Sequence, residues 1–140
     1  MIDTFGGDTY AAVQVAHALS AHPGKVTIWV PDVCASSGTV IATAGDRIVM
    51  GPHATLSYTD VVAYAEPTEI RTPMRVIADA RIARGQHGST ARALAERLTF
   101  AKVDHWTPLF PEEAREVGLT VEIDRDPIWY LLVYLSCWSR

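Results

Sequence analysis

Cysteine, lysine and long apolar runs are all scarce in this chain of 140 residues. The two cysteines, Cys34 and Cys137, form neither a disulfide framework nor a metal-ligand spacing. No cluster of His, Cys and Asp has ligand spacing either, so no metal is expected. The most apolar stretch, 128–138, falls short of the roughly 18 residues that a membrane span needs. No secretory leader is apparent, because Met1-Ile2-Asp3 runs directly into a turn. Lysine occurs only at Lys25 and Lys102, and nowhere do Lys and Arg form a block. With a net charge of −4, the chain is not expected to bind nucleic acid. Phosphate-loop and dinucleotide fingerprints are missing: Gly6-Gly7-Asp8-Thr9 lacks the Lys-Ser/Thr ending and the third glycine. No cofactor is expected. The cytosol is the default compartment.

What remains is an ordinary globular composition, 49% hydrophobic and 20% charged. One domain of this length buries roughly two thirds of its unfolded surface. Residues 10–19 (YAAVQVAHAL) read as a helix capped by Asp8 or Thr9 and ended by His22-Pro23-Gly24. Residues 25–30 (KVTIWV) read as a buried strand, 36–44 as a small-residue helix, 47–50 (RIVM) as a strand, and 55–58 as a further short strand. Residues 61–73 are expected to form a loop or arm. A mostly helical stretch follows over 74–100, broken at 85–88, with Ser89 capping its second half. Its arginines, in the span 71–97, read as a solvated face. Pro111-Glu112-Glu113-Ala114 opens a short helix that Gly118 ends, and 119–123 closes the fold as a strand. This alternation predicts an α/β fold with a mainly parallel sheet and flanking helices. Ile2-Asp3-Thr4 reads as the end of a strand whose beginning is absent, so a truncated chain is expected. Residues 127–140 read as an atypical apolar tail, and within it 128–138 reads as core, a subunit contact or frame-shifted sequence.

Two turns carry the chemistry. Phe5-Gly6-Gly7-Asp8 and Ala35-Ser36-Ser37-Gly38 each close a short apolar run and open a helical pattern. Turns of this kind can aim backbone N–H groups into one cavity, beside a serine hydroxyl. Acyl transfer needs that combination of nucleophile and oxyanion donors. Each turn alone also has a plainer account. Glycine pairs commonly make tight turns, and serines commonly cap helices. His17 and His22 read as surface residues. His53, after Gly51-Pro52, either lines the cleft or caps a turn, and His87 sits in a glycine-rich break. His105, beside Trp106, reads equally as a core hydrogen-bonder. Lys102 stands among apolar and aromatic neighbours. A desolvated lysine serves as a general base, whereas most lysines reach solvent.

The segments IDTFGGDTYAA (2–12), VTIWVPDVCASSGTVIATAGDRIVMGPHATL (26–56) and LTFAKVDHWTPLFPEEAREVGLTV (98–121) resemble the ClpP/crotonase-fold serine proteases. The nearest branch is the serine dehydrogenase proteinases of the signal peptide peptidase A group. The ordered set of motifs covers most of 1–123, is weakest over 61–95 and is lost after 126. The resemblance implies an N-terminally truncated peptidase domain over 1–126. It implies Ser36 as nucleophile and the N–H groups of Gly7 and Ser37 as oxyanion hole. Gly6, His53 and Asp60 are expected to line the cleft. The histidine used by Clp protease subunits falls near Thr59 here, and their aspartate near Trp106, so that triad is not supported. Relatives with a Ser-Lys dyad imply Lys102 as base, with His105 as its substitute; Lys25 reads as structural.

The resemblance also implies a peptide or protein substrate and a homo-oligomer, often a trimer or ring. A membrane anchor is expected only in a missing N-terminal segment, which places the chain in the cytoplasm or on the cytoplasmic face of a membrane. Two other readings stand beside the peptidase. One is an inactive family member acting as a peptide-binding or assembly module. The other is a crotonase-type acyl-CoA enzyme, with Glu66 and Glu69 as candidate acids.

Overall fold

Asp8 starts the first helix, α1 (Thr9–Ala21), by accepting the Ala11 N–H on its carboxylate at 2.7 Å. The computed structural model describes residues 1–59, 67–126, 128 and 135. After α1 come β1 (Thr27–Val30), β2 (Val33–Cys34), α2 (Ser37–Ala42), β3 (Arg47–Met50) and β4 (Thr55–Ser57). Next are α3 (Pro67–Ala83), α4 (Gly88–Thr99), β5 (Pro108–Leu109), α5 (Pro111–Glu116) and β6 (Val121–Ile123). The strands form two small sheets, ordered β1-β3-β6 and β2-β4-β5. Every pairing is parallel except β4 with β5, as expected for strands joined by helical crossovers. The residues before α1 join this framework as a strand end. The Ile2 N–H donates to Trp29 O and the Thr4 N–H to Val33 O, both at 2.8 Å, and Ala35 N–H returns to Thr4 O at 2.9 Å.

Val30, Ile48, Met50, Leu56, Ile77, Leu98 and Leu109 are fully buried and fill the space between sheets and helices. These side chains explain the largest departure from the sequence expectation. Within the stretch expected as loop or arm, residues 67–73 are helical and belong to α3, with Pro73 inside the helix. Proline removes one helical hydrogen bond. The helix persists because Val76, Ile77, Ala78 and Ala80 are buried in the core, and packing outweighs local propensity. Residues 61–66, Asp60, Cys137 and nearly all of 127–140 lie outside the described residues. A second departure is the start of α4. Ser89 does not cap it; its hydroxyl pairs instead with His87 Nδ1 at 2.9 Å.

The arginines of 71–97 are not all solvated. Arg75 is exposed and pairs with Asp79, four residues on. Arg81 is buried, and its guanidinium bonds Gly45 O at 2.9 Å and Gln86 Oε1 at 3.0 Å. Burial pulls its pKa below the usual guanidinium range, and the charge of Asp46 partly restores it. Arg84 gathers the Ala44, Gly24 and Leu19 carbonyls together with the Asp46 carboxylate. Its side chain is 7% exposed and lies 3.1 Å from Asp46 Oδ2.

Asp46 in turn accepts the Val26 N–H at 2.7 Å. That backbone bond, reinforced by Arg84 and Lys25, holds its carboxyl below the ordinary aspartate value against an opposing desolvation. The unfolded chain therefore takes up this proton at higher pH than the folded one. The stabilisation is complete above the unfolded aspartate pKa, about 4, and is lost as pH falls through the lower folded value. Urea unfolding below about pH 4 should show an acid limb that is shallower in Asp46→Asn than in the parent chain.

Candidate functional site

Ser36 follows β2 and opens α2 with φ 52° and ψ −116°; it is the only non-glycine residue with positive φ among the described residues. A side chain held in that region costs on the order of 1–3 kcal/mol and persists only where its surroundings dictate it. Those surroundings are visible. The Ser36 N–H donates to Ser57 Oγ at 2.8 Å, and Gly38 N–H closes the turn onto Ala35 O at 2.8 Å. Gly38 packs so tightly that a Cβ there would lie 2.7 Å from Thr4 Cγ2 and 3.0 Å from Cys34 Sγ. The first turn of α2 is thus seated directly on the N-terminal strand end. The serines do not act as helix caps. Ser36 makes no capping bond, and its hydroxyl has no hydrogen-bond partner among the described residues. The residue is half-buried, so this hydroxyl is held but not sealed in.

The glycine turn lies against it. Gly6 has φ 108°, and a Cβ at Gly6 would sit 2.9 Å from Ser36 Cβ, 3.1 Å from Ala35 O and 3.5 Å from Ser36 Oγ. Only glycine permits both that dihedral and that approach. Gly7, at φ 149°, is exposed. Two hydroxyls fix the turn. Thr4 Oγ1 accepts the Gly6 N–H at 3.1 Å and donates to Gly6 O at 3.3 Å. Ser37 Oγ donates to Gly7 O at 2.8 Å, which ties the second turn to the first across 30 positions of sequence. Because the peptide is trans, the Gly7 N–H points opposite the Gly6 carbonyl and so away from Thr4. The two turns therefore converge, and Gly6, Gly7, Ser36 and Ser37 form one constellation.

The loop that carries the expected bases is anchored beside the site at both ends. The Thr59 N–H donates to Leu98 O at 2.9 Å, and the Thr59 and Thr99 hydroxyls lie 3.3 Å apart. In the β4–β5 pairing, Ser57 stands opposite Pro108. The loop over 100–107 therefore leaves and rejoins the framework at residues 57–59, next to the Ser36 turn. Lys102 and His105 both ride on that loop. Lys102 is exposed, so the chain does not supply the desolvation expected for it. His105 is half-buried and meets the Trp106 ring edge-on, at 5.1 Å between centroids. His53 is exposed in the turn before β4. Since β4 runs parallel to β2, that turn lies at the strand end away from Ser36. Asp60 and Glu66 lie outside the described residues, and Glu69 falls in the first turn of α3. Thr59, at the position of the absent histidine, is buried and holds the end of α4.

Ser57 and Thr4 are the site residues that sequence reasoning missed. A serine inside a three-residue strand and a threonine before a turn carry no distinguishing pattern; only coordinates reveal that they hold backbone groups. Cys34 offers no rival nucleophile. Burial, with a smaller push from the Asp3 charge, drives its thiol up to about 12. No group of three or more metal-ligating side chains occurs among the described residues. Among them, no helix is long and apolar enough to cross a membrane.

Two solved structures share this fold. Both are of the 1510-N membrane-bound stomatin-specific protease, one a lysine-to-alanine mutant in complex with a substrate peptide, the other a serine-to-alanine mutant. They superpose with TM-scores of 0.69 and 0.68 at 24% and 23% identity, covering 89% of this chain and 59% and 62% of theirs. Among curated proteins, an uncharacterized protein of Methanocaldococcus jannaschii is 30% identical over an alignment 162 residues long, gaps included, that covers 96% of this chain and 57% of that protein. A second from the same organism is 24% identical over an alignment 147 residues long that covers 86% of this chain and 50% of its own length. The chain thus spans about half the length of the curated relatives it matches. The sequence profile of the ClpP-like SDH-type serine proteinases matches residues 1–75. That span is more than half of the chain and includes both turns that meet at Ser36, and the chain belongs to this serine proteinase family.

Proposed function

We propose that this chain is an acyl-enzyme serine peptidase with Ser36 as nucleophile. The strained φ of Ser36, pressed against a glycine turn that admits no side chain, is the observation that carries the reading. Strain of this kind clusters at functional sites. The Ser36 hydroxyl attacks a peptide carbonyl carbon and passes its proton to a base on the 100–107 loop. Lys102 is assigned that role, with His105 in its place if Lys102 is dispensable. The N–H groups of Gly7 and Ser37 hold the tetrahedral oxyanion, each such donor contributing about 3 kcal/mol. The proton returns to the leaving amine, and water then hydrolyses the ester. The substrate is a peptide or protein segment. The chain works as a homo-oligomer, in the cytoplasm or at the cytoplasmic face of a membrane.

A second reading is supported by the Ser36 hydroxyl having no partner among the described residues. A family member without a working base would bind peptides or assemble without cleaving them. A fluorophosphonate probe separates the two. In the peptidase, adduct mass maps to Ser36, and Lys102→Ala slows labelling by about 10²-fold or more. If Lys102→Ala labels at the parent rate and His105→Ala is slow, the base is His105. Absence of any adduct in the parent chain supports the silent module.

A further inference from the structure

We propose that Ser57 is a positioning residue that holds the Ser36 backbone in its reactive conformation. The proposal rests on the peptidase reading for its kinetic consequence, but not for its structural one. Ser57 is 3% exposed, and its hydroxyl accepts the Ser36 N–H at 2.8 Å while donating to Tyr58 O at 3.0 Å. Both hydroxyl functions are therefore used, and the proton direction is fixed: the oxygen lone pair faces Ser36. The Ser57 N–H is itself held by Thr39 Oγ1 at 3.2 Å, and Thr39 Oγ1 donates to Cys34 O at 2.9 Å. A buried chain of hydroxyls thus links β2, α2 and β4 around the turn that Ser36 occupies.

The consequence follows from the strain. A non-glycine residue at φ 52° relaxes unless its peptide groups are pinned. The Ser36 carbonyl is committed to the Val40 N–H at 3.3 Å within α2, and the side chain makes no bond to a described residue. Upstream, the Ala35–Ser36 peptide is held at its carbonyl by the Gly38 N–H at 2.8 Å and at its N–H by Ser57, whose hydroxyl is the side-chain restraint on that peptide. A backbone acceptor would have done this if β4 continued past Ser36 in register; β4 ends at Ser57, and a side-chain oxygen takes over. The same bond directs the Ser36 N–H to Ser57, leaving the next amide, that of Ser37, and that of Gly7 as oxyanion donors.

Ser57→Ala tests the proposal by two measurements on the intact chain. Amide hydrogen exchange reads the bond itself: protection at Ser36 N–H is expected to fall at least tenfold in Ser57→Ala. In Ser57→Thr, which retains the hydroxyl, it is expected to stay within about threefold of the parent. Fluorophosphonate labelling reads the consequence. The inactivation rate at saturating probe should fall at least tenfold in Ser57→Ala with the apparent probe affinity within twofold, and recover in Ser57→Thr. A purely structural role would lower thermal stability without that split. Unchanged Ser36 protection in Ser57→Ala overturns the proposal outright. Lost protection with unchanged labelling rate overturns its kinetic half. If the parent chain forms no adduct, the peptidase reading fails while the exchange result still decides the role of Ser57. Should Ser57→Thr fail to fold around its extra methyl, the exchange and labelling of Ser57→Ala decide alone.

Discussion

Ser36→Ala should reduce fluorophosphonate labelling and peptide hydrolysis to background, a loss on the order of 10⁶-fold where the parent is fully active. The expectation has an unusual companion, which is that stability barely moves. The Ser36 hydroxyl has no hydrogen-bond partner among the described residues, and alanine keeps the same Cβ at the same positive φ, so no hydrogen bond among them is lost. Glycine at this position relieves a left-handed penalty of about 1–2 kcal/mol and gives back roughly 0.4–1 kcal/mol through the freer unfolded chain. Ser36→Gly should therefore unfold no earlier than Ser36→Ala while being equally inert. Thermal melts of the three proteins, beside labelling, check this. A dead but unchanged melt marks Ser36 as chemical, whereas a large drop in midpoint would mark it as structural. Labelling that persists in Ser36→Ala would sink the nucleophile assignment.

Arg84→Met should be the most destabilising change outside the core. Its guanidinium is the junction where the end of α1, the segment before β1, the end of α2 and the loop into β3 meet, through the Leu19, Gly24 and Ala44 carbonyls and the Asp46 carboxylate. The side chain is 7% exposed and that of Asp46 17%, so solvent replaces little of what is removed. Truncation leaves a half-buried carboxylate and several carbonyls short of a donor, at a cost of about 3–5 kcal/mol. In a domain of this size that lowers the melting temperature by roughly 10–17 °C. Arg84→Lys recovers only part of it, because a single ammonium cannot fork to four acceptors. The double variant Arg84→Met/Asp46→Asn should lose less than the sum of its parts, since the uncompensated charge goes with its partner. Urea midpoints of the four proteins measure that coupling, and additive losses would show that Arg84 acts through packing alone.

The contrast between these two residues explains what was legible beforehand. The Ser36 turn was readable because a tight strand-to-helix turn imposes a local pattern: a short apolar run, small residues, and a glycine where a backbone must approach. Gly6 and Gly7 were readable for the same reason. Arg84 was misread as part of a solvated face, because its partners lie on Leu19, Gly24, Ala44 and Asp46, and no window of sequence contains that convergence. The strands 27–30 and 47–50 announced themselves through β-branched runs. Strands β2 and β5 are two residues each, too short for any alternation to register. The beginning of α3 was hidden by Pro73, whose local preference is overridden by Ile77 and its buried neighbours. The positioning hydroxyls of Thr4 and Ser57 were invisible for a further reason. Each acts on a backbone atom rather than on a side chain, and backbone atoms carry no letter.

The N-terminal strand end has a mechanical implication. Ile2 and Thr4 hold the sheet framework through three backbone bonds, to Trp29, Val33 and Ala35, and Gly6 follows two residues later. Displacing this strand end would strain the Gly6 turn through the chain and the Ser36 turn through the Ala35 bond to Thr4 O. Thr4 thus couples the two turns mechanically, holding Gly6 through its hydroxyl and Ala35 through its carbonyl.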